Sequence, residues 1–294
     1  MNIGFFAIGP GLAAEPEVIS LIAKTCEDCG YHSLWAPEHI VLLDQYSSKY
    51  PYAQDGRLPF PTMEVDILDP FLALSFAAAV TKKIRLGTGI CLVPERQPLT
   101  TAKAVASIDK LSGGRFDFGV GIGWLKEEFQ ALEIPWAKRA QRTREYLTAM
   151  KSLWTDAESQ FDGEFCQFQP VRSFPKPVQK PHPPIIFGGE SEPALRRVGE
   201  VGDGWWGVNV TVESAKDHLA QIKNFAEGAG RDASALSYAV TTGIGVPVSL
   251  DEVEQFAEIG VDQVIIGLLA ASADEYKQGI EQTAEELIVP LANS

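Results

Sequence analysis

The sequence predicts a closed (β/α)8 barrel forming a single domain over residues 1–294. Three observations carry this. Eight short β-like runs alternate with helical patterns, and strands that alternate with helices pair in parallel. The chain has 294 residues, the usual size for one such barrel with a large core. No proline-, glycine- or serine-rich linker divides it, and no segment is of low complexity. An open doubly wound sheet is the alternative architecture.

The first strand is "IGFFA" (3–7), followed by a helix over about 16–29. The second strand is "SLWAP" (33–37). A long connection then leads to "DPFLALSFAAAVTKK" (69–83), where Asp69 caps a helix and Pro70 opens it. "IRLGTGI" (84–90) is the third strand. The next helix, "LTTAKAVASIDKLS", stops at the glycine pair 113–114. "FDFGVGIG" (116–123) is the fourth strand, and a helix follows over about 138–154. "SQFDGEFCQF" (159–168) reads as a hairpin around Asp162-Gly163, and a proline-rich crossing to about 184 leads to "IIFGG" (185–189). A helix at 192–201, the strand "GWWGV" (204–208) and a helix at 211–228 come next. The strand "LSYAVTTGIGV" (236–246), a helix at 249–259, the strand "DQVIIGL" (262–268) and a last helix from about 272 complete the barrel.

The formal net charge of −14 repels phosphate backbones and argues against nucleic acid as a partner. No apolar run has transmembrane length, and "MNIGFFAIGPG" lacks the basic start of a signal peptide, so a soluble, cytoplasmic protein is expected, with no membrane partner. Cys26 and Cys29 form a C-x-x-C, but Val18, Leu21, Ile22, Thr25, Cys26 and Cys29 share one helical face. A redox pair sits at a helix start, where the dipole lowers the thiol pKa; this one ends a helix, so it reads as core.

In a barrel, chemistry sits at the C-terminal ends of the strands. Those ends here are Ala7 to Pro10, Pro37 to His39, Gly89 to Cys91, Gly121 to Trp124, Gly188 to Ser191, Val208-Asn209, Thr241-Thr242 and Gly267-Leu268. No lysine ends a strand, which argues against a Schiff-base aldolase. No histidine–carboxylate cluster suggests a metal, no carboxylate pair suits a glycosidase, and no G-x-S-x-G elbow is present. The glycines 119, 121 and 123 end the fourth strand, not the first, and their G-x-G-x-G spacing is not a dinucleotide fingerprint. They either let a flat ligand lie on backbone or ease tight packing. A mouth so poor in reactive side chains points to a bound cofactor as the carrier of the chemistry.

The stretches "SLWAPEH", "IRLGTGI", "LSGGRFDFGVGIGWLKEEF" and "IIFGGESEPALRRVGEVGDGWW" together resemble the bacterial luciferase-like superfamily, and within it the deazaflavin (coenzyme F420)-dependent oxidoreductases. The resemblance covers residues 1 to about 210. It implies a (β/α)8 barrel, usually homodimeric, that binds a flavin or deazaflavin at the mouth. It implies a ring cleft against a bulge on the third strand, often with a non-prolyl cis peptide, matched here by Gly89–Ile90. By position it places His39 near the ring and makes Gly188, Gly189 and Ser191 the phosphate-binding turn. Backbone N–H groups at a helix start suit a phosphate, although Glu190 and Glu192 oppose one unless they point away. Thr88 and Asn209 are secondary polar contacts, and Gly121 and Gly123 line the cofactor. Trp124 stands where the deazaflavin-dependent sugar-phosphate dehydrogenases carry an acid; it either stacks on ring or substrate or belongs to the core.

The segment 40–68 follows the second strand and so lies over the mouth as a candidate lid. Its Tyr46, Tyr50 and Tyr52 either contact substrate or serve a dimer contact or a solvated loop. The leading expectation is an oxidoreductase using reduced F420 for hydride transfer to or from a small organic substrate, with His39 managing a proton. The alternative is an FMNH2-dependent monooxygenase supplied by a reductase partner. The other alternative is a non-catalytic flavin-binding barrel. A homodimer would use the segment 69–112.

Overall fold

The computed structural model describes residues 1–60 and 62–293; Pro61, within the expected lid, lies outside the described residues. Eight parallel strands close on themselves: β1 (Asn2–Phe6), β2 (Ser33–Ala36), β3 (Arg85–Thr88), β5 (Phe116–Gly121), β8 (Ile185–Gly188), β9 (Gly204–Val208), β10 (Ser237–Thr241) and β11 (Gln263–Gly267). The pairing β3–β5 seals the barrel, and β1 joins β11 on the other side. A short strand, β4 (Cys91–Leu92), continues β3 past a bulge and pairs with β5. The expected closed barrel is what forms, and the open doubly wound sheet is not.

Eight helices clothe the sheet: α1 (Pro16–Asp28), α2 (Pro70–Val80), α3 (Pro98–Ser112), α5 (Arg139–Thr155), α6 (Glu192–Val201), α7 (Val212–Gly228), α8 (Leu250–Glu258) and α9 (Ala273–Thr283). Their ends follow local chemistry. Asp69 accepts the N–H groups of Phe71 and Leu72, with Pro70 at the first position of α2. Gly113, at φ 71°, ends α3 in the left-handed conformation that glycine adopts without steric cost.

Outward strand side chains pack under the helices, and the C-x-x-C face joins them, with Cys26 fully buried and Cys29 partly so. A second, smaller cluster fills the upper barrel interior: Trp35, Ile186, Trp206, Ala239 and Ile265, with Phe6, Ile90 and Val208 against it. Trp35 and Trp206 lie 4.9 Å apart between ring centroids.

Four expectations change. β10 stops at Thr241 rather than 246, because Gly243 and Gly245 take positive φ there. The hairpin has a longer turn than Asp162-Gly163 alone: β6 (Ser159–Asp162) and β7 (Gln167–Val171) pair Asp162 with Gln167 across residues 163–166. The last helix breaks into a π-helical turn, Ala284–Ile288, and α10 (Val289–Asn293). Pro290 explains it, since proline has no N–H for the regular ladder and crowds the preceding turn. A helix that periodicity does not announce, α4 (Lys126–Ala131), follows β5 directly.

Candidate active site

The third-strand bulge is the floor of the mouth. The Gly89–Ile90 peptide is cis, as is Phe6–Ala7 on the neighbouring first strand. A Cβ at Gly89 would lie 2.4 Å from the Trp206 ring, so only glycine fits. The Ile90 side chain reaches across to β5 and β8, where a Cβ at Gly121 or Gly188 would stand 2.3 or 2.8 Å from its Cδ1. Gly119 faces the Thr88 carbonyl, and Gly123, at φ 77°, faces Phe129 and Glu95. Close packing therefore surrounds Gly119, Gly121 and Gly123. Thr88 is fully buried and its hydroxyl donates to the Gly119 carbonyl at 2.6 Å, which leaves it inside the barrel wall.

His39 leaves the end of β2 and meets Glu128 of α4. Its Nδ1 lies 2.8 Å from Glu128 Oε2, while Oε1 accepts the N–H groups of Ile40 at 2.6 Å and Val41 at 3.1 Å. Glu128 is fully buried. A carboxylate on Nδ1 fixes the ring and leaves Nε2 without a partner among the described residues. Sequence reasoning missed Glu128. The only signal was the pair of acids in "LKEEF", and nothing in a charged run says which acid turns inward.

Two more acids lie behind His39. Glu38 accepts the N–H of Leu92 at 2.6 Å and pairs with Arg96, which also pairs with Asp69 at 2.6 Å. This ties β2 to the bulge and to the cap of α2. Glu95 is 5% exposed and neither of its carboxyl oxygens has a partner. Burial, with Glu128 and Glu38 close by, pushes its pKa up to about 9, so it is neutral at pH 7.

The segment 40–68 crosses the mouth. Glu127 accepts the N–H and hydroxyl groups of Ser47 and Ser48 at 2.6 to 3.2 Å. Although partial burial pulls the other way, these bonds hold its pKa down to about 2. Trp124 then takes an aromatic cluster around it: His39 at 5.9 Å, Tyr46 at 5.8 Å and Tyr50 at 5.3 Å between centroids, with Tyr52 5.6 Å from Tyr50. On the far side Asn209, in the left-handed region at φ 54°, donates to the Tyr52 carbonyl at 2.8 Å. Burial pushes the Tyr50 phenol up to about 12. The segment returns through Leu68 N–H to the Gly9 carbonyl at 3.0 Å. The structure thus brings His39, Trp124, Tyr46, Tyr50, Tyr52 and Asn209 under one cover.

At β8, Gly189 takes φ 108° and Ser191 begins α6 without its hydroxyl capping any N–H. The neighbouring acids point away. Glu190 accepts the N–H of Val208 at 2.7 Å and bonds the Tyr52 side chain, while Glu192 pairs with Arg196 at 3.0 Å. The turn therefore presents an uncommitted hydroxyl and a helix start, a donor set suited to a phosphate. Among the described residues no cluster of three or more His, Cys, Asp or Glu could hold a metal ion. Among them, too, no helix is long and apolar enough to cross a membrane.

A family model described as luciferase-like monooxygenase matches residues 5–290. An uncharacterized protein of Mycobacterium tuberculosis is 35% identical over 266 residues, covering 90% of this chain and 92% of its own. An FMNH2-dependent dimethylsulfone monooxygenase of Pseudomonas putida is 32% identical over 190 residues, covering 64% of this chain and 50% of its own. A solved coenzyme F420-dependent tetrahydromethanopterin reductase of Methanopyrus kandleri superposes with a TM-score of 0.76 at 19% identity, covering 98% of both chains.

Proposed function

This chain belongs to the luciferase-like monooxygenase family, and from that premise we propose that it is an oxidoreductase that uses reduced coenzyme F420 to pass a hydride to, or take one from, a small organic substrate under the lid. The observation that carries the reading is the His39–Glu128 pair, whose free Nε2 belongs to a ring packed against Trp124 beneath the lid. Gly188, Gly189 and Ser191 would hold the cofactor's phosphate, and the Ile90 bulge with Gly121 and Gly123 would back its ring. When bound, the reduced deazaflavin supplies the hydride. The chain's own residues orient, shield and move a proton: His39 exchanges it at Nε2, Glu128 holds the imidazole, and Tyr46, Tyr50 and Tyr52 exclude water.

A second reading is favoured by the Pseudomonas putida relative: oxygenation with reduced FMN supplied by a reductase partner. A deazaflavin has carbon where flavin has N5 and reacts poorly with oxygen, so the cofactor decides between the two. Fluorescence titration of cofactor-free protein with F420 and, separately, with FMN makes that decision. Tight binding of F420 alone supports hydride transfer. Tight binding of FMN alone replaces it with oxygenation, and binding of neither points to a non-catalytic barrel or to a lid that substrate must close first. We further propose a cytoplasmic homodimer joined through segment 69–112, where Leu72, Phe76 and Leu111 expose large apolar side chains.

A further inference from the structure

The segment 40–68 is fastened to only part of the rim. It is held by Glu127 and Glu128 beyond β5, by Glu190 beyond β8 and by Asn209 beyond β9, and it returns at Gly9 and Gly11 beyond β1. Among the described residues none of its hydrogen bonds reaches the ends of β10 or β11, which lie between β9 and β1 in the barrel. That arc is left to the connections that follow those two strands, and they are built inward. Ile265 of β11 belongs to the interior cluster with Trp35 and Trp206, and strand side chains alternate, so Gly267 faces the interior too. A Cβ at Gly267 would lie 3.2 Å from the Ile244 Cα and 3.3 Å from its side chain, and the Gly245 N–H donates to the Gly267 carbonyl at 2.8 Å. The connection after β10 is therefore folded over the place where a side chain of β11 would stand.

These connections carry apolar side chains into water. Ile244 is 40% exposed, Val246 47% and Leu269 79%, the last the most exposed large apolar side chain among the described residues. They stand together: a Cβ at Gly245 would lie 3.1 Å from Leu269 Cδ1, and one at Gly243 would lie 2.7 Å from Val246 Cγ2 and 3.4 Å from Asn209 Oδ1, where the covering segment ends its crossing. Nothing charged accompanies them. No Asp, Glu, Lys or Arg occurs from Leu236 to Leu250 or from Gln263 to Ala273, in a chain with 39 acids and 25 bases. Phe6, Ile90 and Val208, partly buried against the interior cluster, carry the apolar surface inward. An ion laid on such a wall loses hydration and gains no partner, whereas a neutral apolar molecule gains by the area it buries.

We propose that Ile244, Val246 and Leu269 form the substrate subsite of the mouth, and that the substrate is an uncharged, apolar molecule that enters over β10 and β11. This rests on the reading of the mouth as the site of an oxidoreductase. The arc takes the apolar body of the substrate and leaves its reacting group to the side where His39 stands.

The test is calorimetric titration of the full-length, cofactor-free protein with three probes that share one ring system and differ in charge: 1-naphthalenemethanol, 1-naphthoate and 1-naphthylmethylammonium. Wild type should bind the neutral alcohol at least about tenfold more tightly than either ion. Leu269→Asp and Ile244→Asp should each weaken alcohol binding by about tenfold or more. Leu269→Met should keep it, and so should Phe174→Ser, which alters an exposed apolar side chain of the crossing before β8. Because Leu269 is so exposed, Leu269→Asp should melt as wild type does, which separates lost binding from lost folding. An ion that binds as tightly as the alcohol, alcohol binding that survives in both aspartate variants, or no alcohol binding at all overturns the proposal. If Leu269→Asp changes only the sedimentation mass, the arc is a contact between two copies of the chain and the proposal falls. F420 and FMN are titrated separately. If neither binds while the alcohol keeps its selectivity, the apolar subsite stands and the oxidoreductase reading falls; if a cofactor binds and the alcohol does not, the reverse holds.

Discussion

Replacing Glu95 by glutamine should make the protein's stability less dependent on pH. Glu95 has an ordinary pKa of 4.5 when the chain is unfolded and about 9 when folded. The sign follows from proton uptake. Below pH 4.5 both states carry the proton and Glu95 contributes no pH dependence. As pH rises from 4.5 to about 9, only the unfolded chain releases it, and each pH unit costs the fold about 1.4 kcal/mol. Above about 9 both states are ionised and the cost levels off. At pH 7 this amounts to roughly 3 kcal/mol, a large share of the ~5–15 kcal/mol that holds a domain together. Glutamine is nearly the same shape, also buried without a partner, and does not titrate. Near pH 5 the two proteins should therefore unfold at similar urea concentrations. By pH 8 the variant should be more stable by on the order of 4 kcal/mol. Urea unfolding of both proteins at pH 5, 6, 7 and 8 measures this directly. A stability difference that is the same at all four pH values would refute the reasoning, because it would mean that Glu95 keeps one protonation state throughout or finds a partner.

Three further expectations concern the His39–Glu128 pair and the third-strand bulge. His39→Asn should lower kcat/KM by about 10²- to 10⁴-fold, the span of one acid–base group, with cofactor affinity little changed. Glu128→Gln should cost about 10- to 100-fold and also speed amide exchange at Ile40 and Val41, whose N–H groups it accepts; steady-state kinetics and hydrogen exchange check both parts. Gly89→Ala should destabilise by at least ~1–3 kcal/mol, the cost of forcing a methyl into a filled interior, since the Trp206 ring stands 2.4 Å from where its Cβ would be; thermal melting measures it.

The barrel was legible because each β–α unit repeats two periodicities that survive without any knowledge of contacts. The capping residues Asp69, Pro70 and Gly113 act within a few positions of themselves, so they too could be read directly. The site divides differently. His39 stood out as the one histidine at a strand end. Its partner Glu128 did not, because the bond spans 89 positions and helix α4 has only six residues. The glycines were visible, yet their purpose was not: that Gly121 and Gly188 make room for the Ile90 side chain depends on a peptide bond whose geometry no composition reports. Thr88 was expected as a secondary polar contact from the family resemblance; its hydroxyl is instead committed to the Gly119 carbonyl, a bond across 31 positions that the sequence does not display.

Glu128 divides its two oxygens between the imidazole of His39 and the two amides at which the lid leaves the barrel. One carboxylate thus serves both the imidazole and the start of the covering segment. The bond that orients the imidazole and the bonds that anchor the start of segment 40–68 therefore share one carboxyl group. Displacing residues 40 and 41 would free a carboxylate oxygen beside His39, so the orientation of the ring and the anchorage of the segment above it stand or fall together.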